Sequence, residues 1–311
     1  MIKKTLCFLI AIAGGMIGLG SESAFAQGVG VAISPLTFEL TANPGDVLQN
    51  KLRVFNPTQS AVLIQMEIED FAVAGERGEV RIETAGSETY SLALWVKTSP
   101  ESFRLEPNEQ KTVDFTIEVP ENAEPGGHYG SVLAAIGGVI GNEGFVGTAV
   151  SQKVGSLVLL SVSGDMVEDL RIKDFTAPEF LEYGPVPFLI RFENKGTVHV
   201  RPRGFVTITN WRDKKVVDIE FPQLNIIPGS VRKVETSWDK KWLLGKYAAT
   251  LVGSYGASNN PLEPRVITFW VFPWKVAGVV SAVLLIVFTF FALTRRRWIG
   301  ALLILLRGEK K

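Results

Sequence analysis

Apolar and polar residues alternate along residues 31–40, 48–55, 62–71 and 112–119. A period of two sends successive side chains to opposite faces, so each segment reads as a β-strand with one buried face. Val, Ile and Phe, which fit a pleated surface, dominate the apolar positions. Asn43-Pro44-Gly45-Asp46, Asn56-Pro57, Glu106-Pro107-Asn108 and Glu124-Pro125-Gly126-Gly127 punctuate the strands with turn chemistry. No stretch before residue 275 sustains a 3.6-residue period. Strands of this length and spacing predict antiparallel, immunoglobulin-like β-sandwiches.

The two ends break the alternation. Lys3 and Lys4 precede an apolar run over 6–19 that closes on Ala24-Phe25-Ala26. This is the layout of a secretory signal peptide over 1–26, with Ala24 and Ala26 as the small residues of its cleavage site. Residues 276–293 carry no charge; Trp270, Phe272, Trp274 and Lys275 border them on one side and Arg295, Arg296 and Arg297 on the other. A transmembrane helix over 273–294 is expected, with the arginine end cytoplasmic. Residues 299–306 are apolar but too short to cross, and are expected to lie along the inner surface within a basic tail, 295–311. These features predict a bacterial single-pass membrane protein whose all-β ectodomain stands outside the cytoplasm.

An internal repeat divides that ectodomain. Leu52-Arg53-Val54-Phe55-Asn56 is echoed by Ile190-Arg191-Phe192-Glu193-Asn194. Pro107, Lys111 and Val113 are echoed by Pro228, Arg232 and Val234, and Gly127-His128-Tyr129 by Gly245-Lys246-Tyr247. The shared order predicts two tandem sandwiches, over 27–165 and 166–272. The surplus residues of the first are assigned to an added hairpin over 72–90. Tyr129 and Tyr247, each opening an apolar strand after a turn, are placed as tyrosine corners whose hydroxyls return to backbone upstream.

Charge separates the halves. Residues 27–165 hold 8 basic against 18 acidic side chains, and residues 166–274 hold 15 against 12. The acidic half is a poor partner for nucleic acid. The one cysteine, Cys7, lies in the predicted signal peptide, so no thiol or disulfide is expected after cleavage. With only His128 and His199 and no Gly-x-Ser-x-Gly elbow, no enzyme, cofactor or metal site is expected. Glu67 and Glu69, with Asp70 beside them, could attract Ca²⁺ but read rather as the wet face of a sheet. The second module carries basic and aromatic residues, of which Arg201, Arg203, Trp211, Arg212 and Trp242 are the binding candidates. Guanidinium forks and indole faces suit anionic or sugar polymers. The plainer reading puts one Trp in the core and the lysines on hairpin turns.

The order of features resembles the WxL-interacting cell-surface proteins. The residues that carry the likeness are Asn43-Pro44-Gly45, Asn56, Pro120-Glu121-Asn122-Ala123, Gly126 to Gly130, Gly204, Ile227-Pro228-Gly229-Ser230, Trp238 and Gly245-Lys246-Tyr247. The resemblance implies a peptidoglycan-binding sandwich, a host-binding sandwich and a C-terminal membrane helix; it assigns no ligand contacts. The expected function is thus a non-enzymatic surface protein that binds cell-wall glycan or a surface protein in attachment. The alternative is an extracytoplasmic scaffold or assembly protein working by β-strand pairing, which a long, uncovered, uncharged edge strand would favour. A wall hydrolase is the third reading.

Overall fold

A computed structural model describes residues 30–86, 90–141, 144–145 and 152–307. The predicted signal peptide lies outside the described residues, as does most of 141–147, whose glycines the sequence marks as an exposed hairpin tip. The first half holds β1 (Ala32–Ser34), β2 (Thr37–Ala42), β3 (Val47–Phe55), β4 (Ala61–Ala74), β5 (Glu79–Glu83), β6 (Val96–Ser99), β7 (Ser102–Leu105), β8 (Gln110–Glu118), β9 (Gly126–Gly141), β10 (Gly144–Phe145) and β11 (Lys153–Val162). One sheet runs β1-β3-β8-β6 and the other β2-β11-β9-β4-β5, with β7 added on β4 and β10 on β9. Their inner faces share one core that includes Leu52, Val54, Ile64, Phe115, Ile117, Val132 and Leu160. Alternation delivers it: in β3, Leu52 and Val54 are buried while Lys51 and Arg53 are exposed.

The second half repeats the plan with β12 (Leu170–Thr176), β13 (Phe180–Leu181), β14 (Val186–Asn194), β15 (Arg203–Asn210), β16 (Lys215–Glu220), β17 (Val231–Trp238), β18 (Gly245–Tyr255), β19 (Asn260–Pro261) and β20 (Arg265–Val271). Its sheets run β12-β14-β17 and β13-β20-β18-β15-β16 around a second core with Phe188, Ile190, Phe192, Phe221, Leu251 and Phe269. The repeat holds at the level of register. Leu52 lies opposite Val113 as Ile190 lies opposite Val234. In each half an early strand pairs parallel with the last one, β2 with β11 and β13 with β20.

Three local expectations change. The strand expected over 31–40 breaks at Pro35, where the chain passes from one sheet to the other between β1 and β2; proline supplies no N–H for either ladder. The β4–β5 hairpin forms where an added one was expected, but it has a counterpart in β15–β16. The surplus of the first half is instead the stretch after β5, which carries the 3-10 turn Ala93–Trp95, β6 and β7. Fully buried Asp70 ties that stretch down, accepting from the backbone N–H groups of Gly86, Leu92 and Ala93 at 2.7, 3.2 and 3.0 Å.

Asn56 and Asn194 explain the repeat's first landmark. Both are fully buried at the ends of equivalent strands. Asn56 Nδ2 donates to the carbonyls of Ser60, Leu105 and Glu106, and its Oδ1 accepts from the Thr58 N–H and hydroxyl. Asn194 Nδ2 donates to the Val198 and Ile226 carbonyls, and its Oδ1 accepts from the Gly196 N–H. Each amide therefore clamps a turn to a crossing strand.

Helix α1 (Trp274–Arg307) leaves the last strand after only Phe272 and Pro273. It contains a 21-residue window, Trp274–Thr294, long and apolar enough to cross a membrane and not buried against the sandwiches. The helix does not stop at Arg295, Arg296 and Arg297 but continues to Arg307, so residues 299–306 prolong it instead of forming a separate surface segment. At 1.5 Å per residue it is about 51 Å long.

Candidate functional site

A sheet edge exposes unpaired N–H and C=O groups, and proteins commonly guard it with charge or brevity. Most edges here follow that rule. β5 carries Glu79, Arg81 and Glu83; β12 carries Arg171, Lys173 and Asp174; β16 carries Lys215, Asp218 and Glu220; β17 carries Arg232, Lys233 and Glu235. β6 holds Lys97, and β1 is three residues long.

β11 departs from the rule. β9 pairs with it from Lys153 to Val162, whereas β2 covers the other side only from Leu157 onward. The outer side of Lys153-Val154-Gly155-Ser156 pairs with no strand among the described residues. Two bonds fix which groups face outward. The Gln152 carbonyl accepts from Ile136 N–H on the β9 side at 3.0 Å, and Leu157 N–H donates to the Leu36 carbonyl on the opposite side at 3.0 Å. Because direction alternates along an antiparallel strand, the backbone groups of Lys153 and Gly155 point to the open edge. The one charge there is occupied: Lys153 Nζ stands 2.5 Å from Glu67 Oε2 and 3.0 Å from Glu69 Oε1 on the sheet face. Those hydrogen bonds raise the Lys153 pKa. They also put an ammonium between the two carboxylates that could have attracted Ca²⁺.

Ser156, fully buried on the inner side of this segment, has a hydroxyl without a hydrogen-bond partner. An unpaired buried hydroxyl costs about 1–3 kcal/mol. Ser156→Ala should therefore leave the fold intact and raise stability by about 1 kcal/mol, read as a higher midpoint in thermal unfolding; a clear loss would show that the hydroxyl is satisfied.

Beside this strand the two sandwiches meet. Phe71, Tyr129 and Leu159 form a small apolar cluster on the outer face of the first sandwich, against Ile227 of the second. Polar contacts surround it. Gly127 N–H donates to the Thr197 carbonyl at 2.8 Å and Lys233 N–H to the Glu76 carbonyl at 2.7 Å. Arg191 pairs bidentately with Glu76, and Glu39 accepts from both Arg201 and Asn225. The Glu76 pKa is lowered by its hydrogen bond from Arg191. Gly78, at φ +75°, lies under the Arg232 guanidinium so closely that any Cβ would displace it. The Tyr129 hydroxyl lies 3.4 Å from His199 Nδ1. Tyr129 is therefore not a corner within its own sandwich but part of this junction; its pKa is raised by burial. Tyr247 does return to backbone upstream, donating to the Leu244 carbonyl at 3.2 Å.

His199 makes the junction pH-sensitive. Burial lowers its pKa; Glu39 opposes that and Arg201 adds to it. The unfolded chain thus binds the proton more readily than the folded one, so stability rises with pH. Lowering the pH from about 8 through the ordinary histidine value near 6.5 should depress the unfolding midpoint. His199→Gln should flatten that response between about pH 8 and pH 5.5; an unchanged slope would show that His199 does not carry it.

The sequence-derived binding candidates do not converge. Arg201 and Arg203 sit at the junction, where Arg201 lines a groove of about 470 Å³ with Glu39, Thr41 and His199, and Arg203 bonds Asn259. Trp211, Arg212 and Trp242 occupy the opposite end of the second sandwich, at the start of β18. Trp238, not these, fills the core. The two groups lie apart, and the cell-wall-binding expectation finds no support among the described residues. Sequence reasoning missed Asn56, Asn194, Glu76 and the β11 edge; only the asparagines left a signal, in the repeat.

No family model matches the chain, and no curated protein matches it. Solved structures do align with it. The class 5 fimbriae chaperone CfaA is 12% identical with a TM-score of 0.38, over 77% of this chain and 99% of that one. The CupB2 chaperone of Pseudomonas aeruginosa is 10% identical, TM-score 0.36, over 77% and 100%. A chaperone–tip adhesion subunit complex from archaic chaperone–usher Csu pili of Acinetobacter baumannii is 10% identical, TM-score 0.36, over 77% and 98%. The resemblance to WxL-interacting proteins is corrected: no family model supports it, and the solved structures that align with the chain are fimbrial and pilus chaperones and a PapD-like domain of human CEP192. The residues that carried it are largely turn and corner positions. Asn43 and Asp46 close a turn through Asn43 N–H to Asp46 Oδ2 at 2.7 Å, with Gly45 at φ +84°. Such chemistry serves a sandwich of any function.

Proposed function

We propose that this chain is a non-enzymatic, membrane-anchored assembly factor outside the cytoplasm, which holds a partner protein by adding a strand along the open edge of β11. One observation carries the reading. Among the described residues, the outer side of Lys153–Ser156 in β11 pairs with no strand, and its outward N–H and C=O groups offer a template for an extended segment. The fitting partner is a protein whose own sheet lacks an edge strand. Helix α1 would tether the factor as a single pass, with the arginine end cytoplasmic, so that capture happens beside the membrane.

A photoreactive amino acid at Gln152, introduced into the full chain in cells, should capture a partner. The same probe at Glu220 on the charged β16 edge should not. Equal capture from both positions would remove the edge from the mechanism.

A further inference from the structure

The end of the second sandwich next to α1 carries exposed aromatic and basic residues that no intramolecular contact explains. Trp211, Trp242 and Leu244 are 64, 62 and 65% exposed, and Tyr183 is 46% exposed. Topology gathers them. Gly245 pairs with Val271, the last residue of β20, and Asn210 pairs with Tyr247, so the β15–β16 turn and the loop before β18 lie at the same end as the start of α1. The segment after β13 joins them, with Gly184 N–H donating to the Lys241 carbonyl at 3.0 Å.

Charge follows the same distribution. The turn over 211–214 and the loop over 239–244 hold Arg212, Lys214, Lys240 and Lys241 against Asp213 and Asp239. Arg212 stacks over the Trp211 ring at 4.3 Å, and none of the four cations has an ion-pair partner among the described residues. Indoles and lysines on one surface suit the bilayer interface, where rings lie at headgroup depth and cations meet anionic lipid.

The connection to the helix leaves no slack. Phe272 N–H donates to the Leu181 carbonyl at 3.0 Å, Ala277 N–H to the Pro273 carbonyl at 2.9 Å, and Lys275 Nζ meets Glu182 at 2.7 Å. The apolar window begins at Trp274. A sandwich fixed this closely to a membrane helix brings its neighbouring loops to the headgroups.

We infer that the Trp211 turn and the Trp242 loop form a second membrane contact, docking the sandwich on anionic phospholipid headgroups. This rests on the reading that α1 crosses the bilayer.

The test places single nitroxide labels on the full chain, with Cys7→Ser, in nanodiscs containing phosphatidylglycerol. Labels at Trp242→Cys and Leu244→Cys should be more accessible to oxygen than to an aqueous nickel chelate, as should Val276→Cys in α1. Ala257→Cys, at the far end of β18, should show the reverse. Nickel-accessible labels at 242 and 244 beside a lipid-buried 276 would overturn the docking surface alone. A nickel-accessible 276 would overturn the spanning reading and the docking with it. In phosphatidylcholine alone, or with Lys240→Glu and Lys241→Glu, labels 242 and 244 should move toward water; no shift in either case would overturn the anionic headgroup assignment.

Discussion

Lys153→Pro should sharply weaken capture of a strand-paired partner, while Lys153→Ala retains it. Both changes remove the ammonium from between Glu67 and Glu69, an ion pair at roughly one-third exposure worth at most about 1 kcal/mol. Only proline also deletes an outward N–H. Position 153 tolerates it, because the ladder to β9 at this register is made by Gln152 and Val154, and proline is accepted on a free edge. A partner carbonyl left facing the pyrrolidine ring loses a bond and stays desolvated, about 1–3 kcal/mol or roughly 5- to 150-fold in affinity. Photo-crosslinking from Gln152, combined with hydrogen exchange of the outward Gly155 amide, reads both effects. Undiminished capture by Lys153→Pro would sink the strand-pairing mechanism.

The largest stability effect belongs to the buried asparagines. Asn194→Ala strands the Val198 carbonyl and the Gly196 N–H inside the second sandwich and takes one of two bonds from the Ile226 carbonyl, which keeps the Val200 N–H. At about 1–3 kcal/mol for each buried group left unpaired, and with partial relaxation, the expected loss is about 3–4 kcal/mol. Asn56→Ala should cost a comparable amount in the first sandwich. Asn194→Asp should also destabilise, because a carboxylate keeps the acceptor for Gly196 but cannot donate to two carbonyls. Thermal unfolding of each variant measures this; a loss below about 1 kcal/mol would show that water or a shifted turn replaces the amide.

The same asparagines show where sequence reading stopped. The alternation in β3 and β8 named the core faces correctly, since Leu52, Val54, Val113, Phe115 and Ile117 are the buried positions. Period-two patterning reports burial, and burial is what organises a sandwich. The echo of Asn56 in Asn194 was visible too, but a side chain that bonds backbone 49 residues away leaves no mark of its partners. The junction was less legible still. Glu76 reads as an ordinary turn residue, yet its partner Arg191 lies 115 positions on. Tyr129 and Tyr247 look alike in sequence and differ only because one faces a neighbouring sandwich. The open edge of β11 is a property of where β2 begins to pair with it, which a local pattern does not encode.

The short passage from β20 into α1 also constrains how the protein is made. β20 is an interior strand, inserted between β13 and β18. Synthesis reaches it last among the strands, two residues before the helix. On the proposed topology, a ribosome-bound chain cannot close its second sandwich until α1 has entered the translocation channel and β20 has cleared it. Closure of the second sandwich and arrival of its anchor in the channel are then coupled in time.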